Sequence, residues 1–100
     1  MGLFSSKKKD KSFPFNDVEN VATITCCHVM KEGKPILHVS HDADDGMWQF
    51  LCGEEHTTAD AMVVALRTVY ETDPSVAAIA NLPYGGKADR ESADAPWQIY

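Results

Sequence analysis

The sequence predicts an α+β fold, a small antiparallel sheet of about four strands covered on one face by one main helix and a short second helix. The first half of the chain contains three short runs rich in β-branched and aromatic residues, separated by turn residues. Beyond residue 57 the apolar residues recur with the period of an α-helix instead. A chain of 100 residues with 44% hydrophobic content suits a single domain with a modest core.

Three strands are expected between residues 21 and 52. The first covers residues 21–29, VATITCCHV, and contains neither glycine nor proline. The second covers residues 36–41. The segment HDADDG, with Asp45-Gly46 as its turn residues, leads into the third strand at residues 47–52. We expect these strands to form a simple meander.

The expected core residues follow from the faces of the strands. Residues two apart on a strand point to the same side, so Trp48 and Phe50 share a face and are the expected core anchors. Cys52 lies on that face as well and is expected to be a buried structural thiol. Ile24 is the expected core residue of the first strand.

The main helix is expected from Thr57 to about Thr72. Its predicted apolar face consists of Ala59, Met62, Val63, Leu66, Val69 and Tyr70. Met62 and Leu66 are expected to lie in the core. Thr57, followed three residues later by Asp60, resembles a capping box at the helix start.

The rest of the chain is expected to add smaller elements. Pro74 ends the main helix, and Asp73 is expected to cap a short second helix that runs to about residue 80. Residues 87–92 are expected to form a last, weaker strand. Trp97 is expected to pack back onto the body of the domain.

Charge is distributed unevenly along the chain. Residues 1–17 are polar, rich in lysine and interrupted by Pro14, so we expect a disordered tail followed by a single domain at residues 18–100. Residues 16–100 contain five basic and fourteen acidic residues, a net charge of −9. Such an acidic body lacks the basic face that nucleic-acid binding requires, so DNA and RNA are excluded as expected partners.

The sequence favours a cytoplasmic protein. No apolar run approaches the ~20 residues of a membrane span. The three cysteines, two of them adjacent, do not resemble the disulfide framework of a secreted protein. Gly2, with Ser6 and a lysine cluster after it, matches a myristoylation pattern. A plain tail is the preferred interpretation, and membrane anchoring through Gly2 is the alternative.

No catalytic residue is expected. The thiol with the most suggestive neighbours is Cys52, which is followed by Glu54, Glu55 and His56. A nucleophilic cysteine needs a lowered pKa, whereas neighbouring carboxylates raise it. The domain is therefore predicted not to be an enzyme.

No metal or cofactor is expected either. Cys26 and Cys27 are adjacent in the first predicted strand, so they should point to opposite faces and not bind one ion together. The chain contains no C-x-x-C or H-x-x-x-H pair. The DADDG segment departs from a calcium loop because its glycine comes one position early.

Acidic residues near the strand ends are the remaining candidates for a site. Asp42, Asp44 and Asp45 precede the third strand, and Glu54 and Glu55 follow it. Either group suits the electrostatic capture of a basic protein partner. The alternative is that these carboxylates only keep the domain soluble and bind no partner.

Two longer segments resemble a bacterial protein family. KEGKPILHVSHDADDGMWQFLCGEE resembles its opening hairpin, a G-x-x-V/I strand followed by D-x-G-W-x-F-x-x-G-x-E. ETDPSVAAIANLPYGGKADRES resembles its later segment, D-P-S/E-x-x-x-I-x-x-L-P-x-G-x-x-A-x-R, and a tryptophan near the end, here Trp97, is also typical. The family is the one named immunity protein 33, and the resemblance covers about residues 21–97.

The resemblance implies a small cytoplasmic α+β domain that neutralises a polymorphic toxin by binding it, and it implies no catalytic residues. The expected function is therefore non-enzymatic binding of a basic toxin or effector. A regulatory module that binds a small ligand or a metal through its Cys and His side chains is the alternative.

Overall fold

The computed structural model describes residues 13–53 and 58–100, and over these residues the chain is an α+β domain. Its helices and strands follow in the order β1 (Ala22–Cys26), α1 (Cys27–Glu32), β2 (His38–His41), β3 (Trp48–Leu51), β4 (Ala61–Ala65), α2 (Leu66–Thr72), β5 (Lys87–Asp89) and β6 (Gln98–Ile99). Thr58–Asp60 and Pro74–Ile79 form 3-10 helices. The predicted α+β class is confirmed, but the predicted sheet is not.

The strands form one mixed sheet rather than the predicted antiparallel sheet of about four. The described residues contribute six strands in the order β4-β1-β3-β2-β5-β6. β1 and β3 are parallel neighbours, and the other pairs are antiparallel. The predicted meander is wrong because β1 pairs with β3 and β4 instead of β2. Helix α1 carries the chain away from β1, and the connection through α1 and β2 is long enough to join parallel strands.

The first strand was predicted over residues 21–29, but in the structure it ends at Cys26. Residues Cys27–Glu32 form helix α1, which ends at Gly33 with a left-handed φ of 73°. The Gly33 N–H donates to the carbonyl of His28, an arrangement that closes the last helical turn. Val29 on this short helix is 1% exposed. Burying that side chain in the core favours the helix over a longer strand.

The main helix predicted from residue 57 begins only at Leu66. Ala61–Ala65 instead form β4, an edge strand that pairs along all of β1. Thr57, the predicted cap, lies outside the described residues. The Ala and Val side chains of this segment fit a strand as well as a helix, and pairing satisfies the backbone groups of β1 that would otherwise be unpaired. Two backbone hydrogen bonds, from Leu66 N to Val21 O and from Arg67 N to Glu19 O, then start α2.

The predicted short second helix is a 3-10 helix. The Asp73 side chain accepts a hydrogen bond from Ser75 N at 3.1 Å, and Pro74 occupies the first turn. Val76 and Ile79 are buried on this helix. None of the helices in residues 13–53 and 58–100 is long and apolar enough to cross a bilayer.

The core contains two residues of the predicted tail at residues 1–17. Phe13 is 8% exposed and Phe15 is 2% exposed. The Phe15 ring meets the edge of Trp48 with centroids 5.1 Å apart and contacts Phe50 at 6.2 Å. The described part of the predicted tail, residues 13–17, is therefore tied to the domain by aromatic packing. Residues 1–12, which include Gly2, lie outside the described residues.

Some of the predicted core residues are buried and others are not. Trp48, Phe50 and Leu66 are at most 3% exposed, and Trp97 packs, partly buried, against the core. The prediction that Ile24 and Met62 lie in the core is wrong, because both side chains are only half-buried. The buried face of β1 presents Thr23 and Thr25, each 0% exposed.

Threonine is tolerated at these buried positions because both hydroxyls have partners. Thr25 Oγ1 donates to Phe50 O at 2.7 Å, and Thr23 Oγ1 donates to Val64 O at 3.0 Å. A buried hydroxyl with a hydrogen-bond partner avoids most of the cost of leaving water. These bonds also link β1 to both of its neighbouring strands.

Candidate functional site

A stacked pair of rings lies at one end of the sheet, where β2 ends and β3 begins. His41 and Trp48 are directly opposite each other in the β2–β3 ladder. Their ring centroids are 3.9 Å apart, with 12° between the planes. His41 Nδ1 lies 2.8 Å from the carbonyl of Leu82, and because a carbonyl can only accept, Nδ1 carries the proton and donates. His41 Nε2 is buried and has no hydrogen-bond partner among the described residues.

A cleft of about 370 Å³ opens beside this pair. It is lined by His41, Trp48, the preceding segment Asn16 and Asp17, and the loop at residues 80–84. The Asp17 carboxylate accepts a hydrogen bond from Trp48 Nε1 at 3.1 Å. This bond holds an acidic side chain at the cleft wall and satisfies the buried indole N–H.

Tyr84 stands at the mouth of the cleft and is 70% exposed. Its ring centroid is 4.7 Å from that of His41. A Cβ placed on Gly46 would lie 3.5 Å from the Tyr84 ring, and one placed on Gly85 would lie 3.6 Å from Ala43. The loop after the 3-10 helix Pro74–Ile79 therefore packs against the acidic β2–β3 turn, and the two present one continuous surface.

The acidic turn contributes exposed charge to this surface. Asp44 and Asp45 are exposed. Asp42 is half-buried and accepts hydrogen bonds from Gln49 Nε2 at 2.8 Å and from Ser40 Oγ at 3.2 Å. Asp42 therefore shapes the turn, while Asp44 and Asp45 present charge. We name the surface formed by Asp17, Asp44, Asp45 and Tyr84 around the cleft the acidic face. The other predicted contact residues, Glu54 and Glu55, lie outside the described residues.

A cluster of sulfur and nitrogen donors lies at the opposite end of β1 and β3. The Sγ atoms of Cys26 and Cys52 and a ring nitrogen of His28 all lie within 4.8 Å of one another. Cys52 Sγ is 3.6 Å from His28 Nδ1. Both thiols are buried, whereas His28 is half-buried. Cys26 and Cys27 belong to different groups, because β1 ends at Cys26 and brings it beside Cys52 rather than Cys27.

A second group overlaps the first at His28 and adds Cys27 and Asp60. Cys27 Sγ donates to Asp60 Oδ1 at 3.7 Å. Loss of solvation, the negative charge of Asp60 and this hydrogen bond all raise the pKa of Cys27. A raised pKa keeps the Cys27 thiol protonated, which disfavours a nucleophilic role.

A third polar group lies on the strand pair β2–β5. His38 and Asp89 are cross-strand partners whose side chains are hydrogen-bonded, and Tyr100 Oη donates to the other Asp89 oxygen at 2.8 Å. Partial burial raises the pKa of Asp89. The hydrogen bonds from His38 and Tyr100 lower it by more, so the pKa of Asp89 is below its ordinary value. The same bond to Asp89 raises the pKa of Tyr100. This group links β6 and the chain end to the sheet.

Sequence reasoning missed His41, Tyr84 and His28 as parts of these sites. His41 and Trp48 lie at the two ends of the β2–β3 turn, so the expected hairpin placed them near each other, but their register is seen only in the structure. Tyr84 lies in NLPYGG, whose proline and glycines indicate a turn but do not indicate that the tyrosine lines a cleft. No short sequence pattern indicates that His28 lies beside two thiols, because this contact depends on the order of the strands in the sheet.

Comparisons of the chain with protein-family models, with curated proteins and with solved structures found no match.

Proposed function

We propose that this domain is a non-enzymatic protein-binding domain of the toxin-immunity type, which neutralises a basic toxin or effector in the bacterial cytoplasm by binding it directly. The observation that supports the proposal is the acidic face, on which the exposed Asp44 and Asp45 lie on the turn beside a cleft that is lined by Asp17 and has the exposed Tyr84 at its mouth. The resemblance to the immunity protein 33 family agrees with this function.

The composition of the acidic face suits a protein interface. Tyrosine and tryptophan are enriched at the energetic centres of interfaces, where they combine a large apolar ring with a polar atom. Tyr84 is exposed, and Trp48 forms part of the cleft beneath it. An arginine or lysine of the partner that enters the cleft would stack on Tyr84 and approach the carboxylate of Asp17.

Electrostatics favours a basic partner. Residues 16–100 carry a net charge of −9, and Asp44 and Asp45 place two of these charges on exposed positions beside the cleft. Such charges speed the encounter with an oppositely charged protein and make it sensitive to ionic strength, because salt screens exposed charges beyond roughly 10 Å. Binding through this surface should therefore weaken as salt is added.

The experiment uses the tagged protein as bait in lysate of its source at low salt, followed by purification of the captured protein and measurement of its affinity by calorimetry. The double variant Asp44→Asn/Asp45→Asn should weaken binding at least about tenfold and reduce its salt dependence. The matched control is Glu91→Gln/Asp94→Asn, which removes the same charge. Both control residues are exposed and follow β5 at the opposite end of the sheet.

Two outcomes would overturn the proposal. One is an affinity that falls equally in both double variants, since that would make net charge rather than the acidic face responsible. The other is a captured protein whose activity, measured in its own assay, is unchanged by a stoichiometric excess of this domain. A basic protein that is inhibited by the wild type and poorly by Asp44→Asn/Asp45→Asn would support it.

A further inference from the structure

We propose that Cys26, His28 and Cys52 bind one Zn²⁺ ion. This site lies at the other end of the parallel strands from the acidic face, and the proposal is independent of partner binding. Thiolate and imidazole are the ligands that zinc prefers in proteins, and a tetrahedral ion with three protein ligands keeps a fourth position for water. We name these three residues the thiol–imidazole cluster.

The distances within the cluster fit a single ion. With Zn–S of about 2.3 Å and Zn–N of about 2.0 Å, tetrahedral geometry separates a sulfur ligand from a nitrogen ligand by about 3.5 Å and two sulfur ligands by about 3.8 Å. Cys52 Sγ and His28 Nδ1 are 3.6 Å apart. All three donor atoms lie within 4.8 Å of one another, so small side-chain rotations bring them to the required separations.

The fold places the ligands without needing the metal. Cys26 is the last residue of β1, and Cys52 directly follows β3. Because β1 and β3 are parallel neighbours, their carboxyl ends lie side by side at one edge of the sheet. His28 is in the first turn of α1, whose position is fixed by the burial of Val29. A site supported by strand ends and a packed helix is preorganised for binding.

Burial and charge also favour a bound cation. Cys26 is 1% exposed and Cys52 is 2% exposed, while His28 is half-buried and provides a path to solvent. On binding, Zn²⁺ displaces the protons of both buried thiols to solvent, and its two positive charges balance the two thiolates. A neutral imidazole completes a set with no net charge. The cluster therefore has the ligand types that suit a borderline-soft divalent cation such as Zn²⁺.

Cys27 provides a matched control within the chain. It is the next residue after Cys26, but it belongs to the second group with His28 and Asp60. Replacing Cys27 removes a thiol near the same histidine without touching either proposed sulfur ligand. The variants Cys27→Ser and Asp60→Asn thus separate the proposed site from a site built on the second group.

The test measures zinc content and affinity on the full chain, purified and kept reduced with a phosphine. One Zn²⁺ per chain is expected by elemental analysis. Substitution with Co²⁺ should give thiolate-to-cobalt charge-transfer absorption and the visible bands of a tetrahedral ion. Cys26→Ser, Cys52→Ser and His28→Ala should each lower the affinity for zinc by more than about 100-fold, since even residues that only orient ligands contribute 10–100-fold. Cys27→Ser and Asp60→Asn should keep one ion and the charge-transfer band.

Circular dichroism and tryptophan fluorescence are measured on each variant without metal, so that misfolding is distinguished from ligand loss. If Cys26→Ser or Cys52→Ser fails to fold, the half-buried His28→Ala variant decides the outcome. A reduced wild-type protein without stoichiometric zinc and without cobalt charge transfer would overturn the proposal. Retention of the ion in His28→Ala, or its loss in a folded Cys27→Ser or Asp60→Asn variant, would overturn it as well.

Discussion

The ring of His41 stacks on that of Trp48 at 3.9 Å while His41 Nδ1 donates to the carbonyl of Leu82. One side chain therefore connects the β2–β3 hairpin with the loop that carries Tyr84. His41 is 7% exposed, and this burial makes the connection rigid. The position of Tyr84 at the mouth of the cleft follows from this contact.

Trp48→Ala should lower the free energy of unfolding by about 3–5 kcal/mol, the usual cost of removing a large buried aromatic side chain. Trp48 is 3% exposed and contacts His41, Phe15 and Phe50. Urea denaturation followed by circular dichroism measures the change. Tyr84→Ala is the control, since an exposed side chain should cost less than about 1 kcal/mol. A loss below about 1 kcal/mol for Trp48→Ala would contradict the packing described here.

Arg90→Lys should cost about 3 kcal/mol although the charge is kept. The Arg90 side chain is 2% exposed, and its guanidinium donates to Ile36 O at 2.9 Å and to Asp73 Oδ2 at 3.1 Å. It also lies 4.2 Å from the ring centroid of Trp97. A lysine ammonium cannot reproduce the planar fork of donors, and Asp73 and Ile36 lose their partner.

The control for Arg90→Lys is Arg67→Lys. Arg67 forms ion pairs with Glu19 and Glu71, but its side chain is 61% exposed. Exposed ion pairs contribute at most about 1 kcal/mol, so this change should be small. Unfolding by urea compares the two variants, and equal effects would show that Arg90 acts only as a surface charge.

Gly86→Ala should destabilise the domain by about 1–3 kcal/mol through overpacking. A Cβ at this position would lie 2.9 Å from Pro83 O and 2.9 Å from Leu82 Cγ. The backbone is held in place, because Gly86 N donates to Pro83 O at 2.8 Å and Gly86 O accepts from His41 N at 3.0 Å. Neither Pro83 nor Leu82 can move away from such a Cβ without disturbing the loop that carries Tyr84.

Gly33→Ala separates this steric effect from backbone strain. A Cβ on Gly33 would meet nothing within 4 Å, but the residue has a φ of 73°. The expected cost is about 1 kcal/mol, which reflects the left-handed conformation alone. Thermal unfolding with both variants tests the difference. A Gly86→Ala protein more stable than Gly33→Ala would rule out the close contact at Gly86.

The group of His38, Asp89 and Tyr100 should contribute to stability over a defined pH range. The pKa of Asp89 is lowered from its ordinary 3.8, so its contribution is present above pH 3.8 and is lost as pH falls through the lowered value. The pKa of Tyr100 is raised from its ordinary 10.0, so its contribution is present below pH 10.0 and is lost as pH rises through the raised value.

Urea unfolding of the wild type, Asp89→Asn and Tyr100→Phe across this range measures the effect. The stability difference between wild type and each variant at neutral pH is the reference value. It should shrink in acid for Asp89→Asn and in strong base for Tyr100→Phe. Asp94→Asn, at an exposed position, is the control. A difference that is independent of pH in both variants would contradict the shared hydrogen bonds.

Local sequence was sufficient for the parts of the fold that depend on neighbouring residues. The alternation around Trp48 and Phe50 predicted a strand with both rings on one face, and both side chains are buried. Asp73 followed by Pro74 predicted the capped start of a short helix, which is found there. Turn chemistry and side-chain period act over a few residues, so a single segment contains the information.

The tertiary structure alone decided the rest, because strand order and pairing depend on the path of the whole chain. The side chains of Ala61–Ala65 are compatible with a helix and with a strand. The segment is a strand because it pairs with the edge of β1. Cys26, His28 and Cys52 meet only because β1 and β3 are parallel neighbours. The sequence by itself determined the α+β class, the acidic charge and the aromatic anchors. Contacts between distant segments determined where donors, carboxylates and the exposed tyrosine come together.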